Sequence, residues 1–343
     1  MKAEGKARPR SLRYLAVVSA VAAVAAMAGC TPASPGSALR HASAAVKGVA
    51  AAPTRAAMPV PPQQSCGKPA TRTGRYIGFS VPGYPKSTTL LTATEKAAGV
   101  NANVVSMYYP LGATLDIASV SAICAARKFP IIEIDTDNVP LERIVNGSED
   151  KMLSGYALQL GTLQAPVGVD FNHEFNGPWF AWGFQKVKRS VFLAAWRHIV
   201  TLFRKYGATN VVWIWNPNVT SQFTIKDLQP WYPGDAYVDW VGLDGYFYSA
   251  TDTYASVFNY TVSQVRAITK RPIFIVEIGA NPVSGRPRAI ASIFEGVAKT
   301  PGLLGLIWFD YNKNSQHNWY FNNDPTALAA FKAGATAYLN GAG

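Results

Sequence analysis

Two glutamates occupy positions where a carboxylate could do chemistry. Glu174 lies in Val169-Asp170-Phe171-Asn172-His173-Glu174-Phe175-Asn176-Gly177-Pro178-Trp179, just past an apolar run, and Glu277 ends the run Pro272-Ile273-Phe274-Ile275-Val276. A carboxylate at the tip of an apolar strand is paired, hydrogen-bonded or catalytic, because burying it alone costs several kcal/mol. Two such groups in unlike surroundings could divide the cleavage of a glycosidic bond. One, protonated, gives its proton to the leaving oxygen; the other, ionised, attacks or supports the anomeric carbon. Flat aromatic faces suit sugar rings, and Trp179, Trp182, Trp215, Trp308 and Trp319 all fall in loops or strand ends after the fourth, fifth and eighth apolar runs. For any one of them, packing in the core or rim is the alternative.

The elements that must position these residues alternate. Short apolar or period-two runs read as strands over 75–81, 103–109, 130–135, 166–172, 210–215, 238–244, 272–278 and 303–309. Helical spacing falls between them, over 93–98, 117–127, 149–163, 187–206, 254–269, 289–300 and 325–339, with the helix after the fifth strand short or missing. Eight β-α repeats without a second block of composition predict a single (β/α)8 TIM barrel over 71–343, whose chemistry sits at the C-terminal ends of the strands. A doubly wound open sheet is the runner-up. It usually carries a Gly-rich phosphate turn, and the chain has no G-x-G-x-x-G, Walker motif or G-x-S-x-G.

Of the 343 residues, 49% are hydrophobic and 15% charged, ample for one large core. The formal net charge of +12 is uneven: residues 1–70 hold nine Lys and Arg against one acid, so most of the excess precedes the barrel. The remaining basic residues are dispersed, which argues against a nucleic-acid partner. Lys2, Lys6, Arg8, Arg10 and Arg13 precede an apolar stretch from Leu15 to Ala26 and then Met27-Ala28-Gly29-Cys30. Residues 1–29 therefore read as a lipoprotein signal peptide with Cys30 as the lipidated residue, an ordinary cleaved secretory peptide being the alternative. Either implies export, and the first a lipid anchor at the outer face of a bacterial cell membrane. Residues 30–70, rich in Ala, Pro and Ser, read as a disordered linker. An oxidising compartment would permit Cys66 and Cys124 to pair or leave them free, and neither has the spacing of a metal site.

Together these segments resemble glycoside hydrolase family 26, a resemblance running from about residue 74 to 340. His173-Glu174-Phe175-Asn176-Gly177-Pro178-Trp179 is similar to its His-Glu-Met-Asn-Gly-x-Trp signature. Trp215-Asn216-Pro217-Asn218, Tyr232-Pro233-Gly234-Asp235, Val238-Asp239-Trp240 and Gly242-Leu243-Asp244-Gly245-Tyr246 follow in order and spacing. The resemblance implies a retaining double displacement on a β-linked polysaccharide, most often β-1,4-mannan, with mixed-linkage β-glucan, β-1,3-xylan or the cell's own exopolysaccharide as alternatives. Glu174 would be the acid/base and Glu277 the nucleophile. His173 would border the subsite of the attacked sugar, Tyr246 would hydrogen-bond the nucleophile, and Asn176 and the tryptophans would contact substrate. Phe175 stands where Met is usual and Phe180-Ala181 where Tyr-Pro is common, departures that bear on substrate identity.

The expected enzyme needs no cofactor and no metal, since a carboxylate pair suffices, and acts as a monomer. Asp135 and Asp137 follow the third strand without the further ligands of a calcium loop, so sugar contact or loop capping is expected of them. His198 reads as structural within its helix, and His317 lies near Trp319, within reach of a substrate. A barrel that binds polysaccharide without cutting it is the reading from another class, and retention of both glutamates and Tyr246 speaks against it.

Overall fold

The computed structural model describes residues 75–163, 165–314 and 317–341. Eight parallel strands close into a barrel in chain order, β1 (Tyr76–Ser80), β2 (Val104–Pro110), β3 (Phe129–Asp135), β4 (Val167–Phe171), β5 (Val211–Trp215), β6 (Trp240–Phe247), β7 (Ile273–Ala280) and β8 (Leu303–Phe309), with β8 pairing back onto β1. Helices α1 (Thr89–Ala98), α2 (Ile117–Ala125), α3 (Leu141–Val145), α4 (Asp150–Thr162), α5 (Arg189–Lys205), α6 (Tyr254–Ile268), α7 (Arg286–Lys299) and α8 (Pro325–Leu339) cover the strands. Only a 3-10 turn, Gln229–Trp231, occupies the crossover after β5. After β8 a short hairpin, β9 (Asn312–Asn314) with β10 (His317–Asn318), precedes α8.

Side-chain period builds the two apolar layers. On α5, Phe192, Ala195, Trp196, Ile199, Val200, Leu202 and Phe203 recur on one face and are all buried against the sheet. Gly207 ends the segment with φ 87°, a conformation glycine adopts without a Cβ clash. Inside the barrel, Ile131, Ile214, Trp240, Phe274, Val276, Leu304 and Ile307 form a separate plug. Such filling leaves the interior no pore, so a ligand meets the strands only at their C-terminal mouth.

Some boundaries differ from those the sequence predicts. Helix α1 begins at Thr89 rather than 93, and α7 at Arg286 rather than 289, because Pro287 sits in the first turn, where a missing N–H breaks no helical hydrogen bond. Helix α3 is an additional turn that the reading over 149–163 omits. The expected signal peptide (1–29), linker (30–70), Cys30 and Cys66 lie outside the described residues. Cys124, buried on α2, is disulfide-bonded.

Candidate active site

Sequence spacing brings Glu174 to the mouth through an unusual turn. Past β4 the backbone takes left-handed values at Asn172 (φ 56°) and Glu174 (φ 51°), which cost non-glycine residues on the order of 1 kcal/mol or more. Hydrogen bonds hold the turn in place. The Glu174 N–H donates to the Asn216 carbonyl at 2.7 Å, and Asn172 Oδ1 accepts from the Thr136 N–H and hydroxyl at 3.1 and 3.0 Å. The Glu174 carboxylate accepts from Trp179 Nε1 on one oxygen and from Asn218 Nδ2 on the other. Burial, and after it the charge of Glu277, raises its pKa to about 6 against the pull of His173 and these two donors.

Glu277 reaches the same space through a break in strand pairing. Leu243 of β6 is opposite Ile275, but Asp244 is opposite Glu277, so β7 carries one extra residue at Val276. Phe274 and Val276 both pack in the inner plug, while Ile273, Ile275 and Ile278 face the helices. Strict alternation would have sent Glu277 outward with Ile275; the bulge shifts the phase and turns it into the mouth. There the Tyr108 hydroxyl from β2 donates to one carboxylate oxygen and the Tyr246 hydroxyl from β6 to the other. Burial, with the nearby Glu133 and Glu277 charges, pushes Tyr108 far above its usual range; burial and Glu277 do the same to Tyr246. Both tyrosines are therefore fixed as donors.

The two carboxylates converge. One carboxylate oxygen from each of Glu174, Asp244 and Glu277 lies within 4.8 Å of the other two, as does one ligand atom from each of Glu133, His173 and Glu277. His173 Nδ1 lies 3.1 Å from Asp135 Oδ1 and 3.8 Å from Glu133 Oε2. Burial disfavours its charge, but the hydrogen bond and charge of Asp135, with Glu133 and Glu277, outweigh that and hold the imidazole protonated.

Beneath the glutamates lies a buried acidic layer. Asn216 Nδ2 donates to Asp170 Oδ2 at 2.7 Å and to Asp244 Oδ2 at 3.0 Å. Neither oxygen of Glu133 has a hydrogen-bond partner among the described residues. Burial dominates at all three acids and raises each well above the ordinary carboxyl range, with Glu277 adding to the effect.

Several expected contact residues are elsewhere. Trp215 and Trp308, fully buried on the outward faces of their strands, pack against Phe175 and Tyr232 and against Phe321 and Phe331 respectively. Both are corrected to core residues: at strand ends a shift of one position reverses the face. Trp182 is also buried, stacked on Phe180 at 4.5 Å and donating to the His173 carbonyl at 2.7 Å, so it supports His173 from behind. Asn176 is a brace, its amide exchanging 2.8 Å hydrogen bonds with the backbone of Asn218, which in turn serves Glu174. Trp179 is 43% exposed beside Glu174, and Trp319 stacks on Tyr246 at 4.2 Å. His198 pairs with Asp150 across α4 and α5, as a structural residue would. Sequence reading missed Tyr108, Glu133 and the role of Asn218. A lone acid in Phe129-Pro130-Ile131-Ile132-Glu133 was the available signal for the second of these.

A closed α/β barrel with its buried carboxyls gathered at the C-terminal ends of the strands is an enzyme-bearing architecture. The sequence matches glycosyl hydrolase family 26 over residues 99–333, and the chain belongs to that family. It is 31% identical over 202 residues to endoglucanase H of Acetivibrio thermocellus, covering 55% of this chain and 22% of that one. To a mannan endo-1,4-beta-mannosidase of Bacillus subtilis strain 168 it is 31% identical over 159 residues, 44% of this chain and 40% of the other. The chain thus spans about a fifth of the first relative's length and two fifths of the second's. The catalytic domain of an endo-beta-1,4-mannanase from Bacillus sp. JAMB-750 superposes with a TM-score of 0.60 at 15% identity, covering 81% of this chain and 88% of that one, a likeness of fold.

Proposed function

We propose that the protein is a retaining endo-β-glycanase acting on β-1,4-mannan, with Glu174 as acid/base and Glu277 as nucleophile. The observation that carries the reading is the approach of one Glu174 oxygen and one Glu277 oxygen to within 4.8 Å. Carboxyls about 5–5.5 Å apart suit direct attack on the anomeric carbon, whereas inverting enzymes leave about 6.5–9.5 Å for a water. Glu174, with its pKa raised to about 6, keeps a proton for the leaving oxygen in mildly acidic solution. Glu277, held by two tyrosine hydroxyls, is aimed to attack. A covalent glycosyl-enzyme forms, and Glu174 then takes a proton from the water that releases it.

Mannan is favoured by the relatedness to a mannan endo-1,4-beta-mannosidase; mixed-linkage β-glucan and β-1,3-xylan use the same chemistry. The basic and apolar N-terminal pattern ending at Cys30 supports an exported, lipid-anchored enzyme. The test is incubation with soluble β-mannan, mixed-linkage β-glucan and β-1,3-xylan, with the anomer released followed by proton NMR. The reading expects internal cleavage of mannan with initial release of the β-anomer. Release of the α-anomer would overturn the mechanism, and cleavage of another polymer alone would overturn the substrate.

A further inference from the structure

The hairpin after β8 brings a cation to the lip of the site. Lys313 on β9 is exposed, and its Nζ stands 4.6 Å from the ring centroid of Phe309 and 5.8 Å from that of Trp319. Both rings wall the Glu277 side of the mouth. Trp319 stacks on Tyr246, and Phe309 meets Tyr246 and Tyr108 edge-on with centroids 6.1 and 6.4 Å away. These are the two tyrosines that hold Glu277. The lysine ammonium is thus set over aromatic surface that leads to the proposed nucleophile.

What surrounds the ammonium is unusual. The ion pairs among the described residues leave Lys313 without a carboxylate, although acids crowd the floor of the same mouth. The ammonium faces two aromatic rings, those of Phe309 and Trp319. The His317 ring lies 5.7 Å from Trp319 and 6.0 Å from Tyr248, and the buried Trp319 indole N–H has no acceptor among the described residues. A lysine kept only to offset the floor acids would pair with one of them. Lying on ring faces, an ammonium is oriented by cation–π attraction while its donors stay available to a ligand.

We propose that this hairpin selects β-glycans carrying a carboxylate, as in a uronic acid unit, on the sugar bound on the Glu277 side, with Lys313 as the ion-pair partner. The proposal rests on the glycanase reading for the path of the glycan, and it names the substrate class that reading leaves open. Placement at the lip keeps the carboxylate of the sugar away from Glu277 while still within reach of the ammonium. Because the pair is solvent-exposed, its effect is moderate and weakens with salt.

The test is calorimetric binding to the full chain carrying Glu174→Gln, which blocks turnover. The probes are oligosaccharides from β-mannan and from mixed-linkage β-glucan, each before and after oxidation of the C6 hydroxyls to carboxylates. The oxidised form of one of them is expected to bind about two- to fivefold more tightly than its parent, the size of a solvent-exposed ion pair. That preference should vanish when Lys313→Met is added, persist with Lys313→Arg, and shrink in 0.5 M salt, roughly beyond the range of an exposed pair. Equal binding of oxidised and parent forms, a preference that Lys313→Met retains, or no binding of any probe would overturn the proposal. Binding with the expected preference but no hydrolysis by the unmodified enzyme would instead refute the glycanase reading and leave the carboxylate site standing.

Discussion

Tyr108 donates its hydroxyl hydrogen to the Glu277 carboxylate from β2, on the opposite side of that carboxylate from Tyr246 on β6. A carboxylate gripped from both sides is fixed in orientation, as the proposed nucleophile requires. Tyr108→Phe leaves the ring packing against His173 and Phe309 but removes one donor. A hydrogen bond to a charged group contributes about 1.5–3 kcal/mol, so kcat/KM on soluble mannan should fall roughly 10- to 100-fold. Unchanged kinetics would show that the grip has no part in turnover.

Glu174 supplies a second expectation. With its pKa raised to about 6 by burial and then by Glu277, the proton needed by the leaving group is present below that pH and lost above it. The alkaline limb of kcat/KM should therefore fall near pH 6. Asn218 and Trp179 both donate to the ionised form and so hold the value down. Removing either donor, by Asn218→Ala or Trp179→Phe, should move the limb to higher pH, and a pH–rate profile that moves downward would contradict the assignment.

The two glutamates should also part company in their response to the leaving group. An aryl glycoside with a good leaving group needs little protonation, so Glu174→Ala should retain a measurable first step and accumulate glycosyl-enzyme, with azide restoring turnover. On the proposed roles Glu277→Ala lacks the nucleophile and should lose nearly all activity on every substrate. A burst of phenol release from Glu277→Ala, or equal losses in both variants, would sink the division of roles.

How much of this was legible beforehand depends on what each residue's position rests upon. The barrel was readable because eight apolar runs alternate with helical spacing, as in the α5 stripe from Phe192 to Phe203, and each repeat is a local pattern. Glu174 and Glu277 stood out as acids at the ends of apolar strands. The way they reach the mouth was not visible: Glu277 depends on an extra residue at Val276, and Glu174 on left-handed backbone at positions that are not glycine. Neither leaves a compositional trace.

The same limit accounts for the tryptophans. Trp215 and Trp308 end strands near the mouth, but their phase turns them to the helix layer, while Tyr108, one strand over from any expected residue, turns inward. The phase of a short strand is set by the plug beneath it, a set of contacts distant in sequence. The motif points to Asn176 as a substrate contact, whereas it is a brace whose value lies in fixing Asn218.

The acidic layer below the site yields a stability prediction. Asp170 is fully buried, and burial lifts its pKa well above the ordinary value, so the folded protein binds a proton that the unfolded chain gives up near pH 4. Between the unfolded and the folded pKa each rise of one pH unit removes about 1.4 kcal/mol of stability for a single such group. Asp170→Asn keeps an oxygen that can accept from Asn216 Nδ2 and has no proton to lose. Its melting temperature should exceed that of the unmodified protein at pH 8, and the gap should close as pH falls toward 4. Thermal melts across that range decide the matter: a gap that widens on acidification would mean that Asp170 is buried as a carboxylate, with its charge met by the protonated His173 after all.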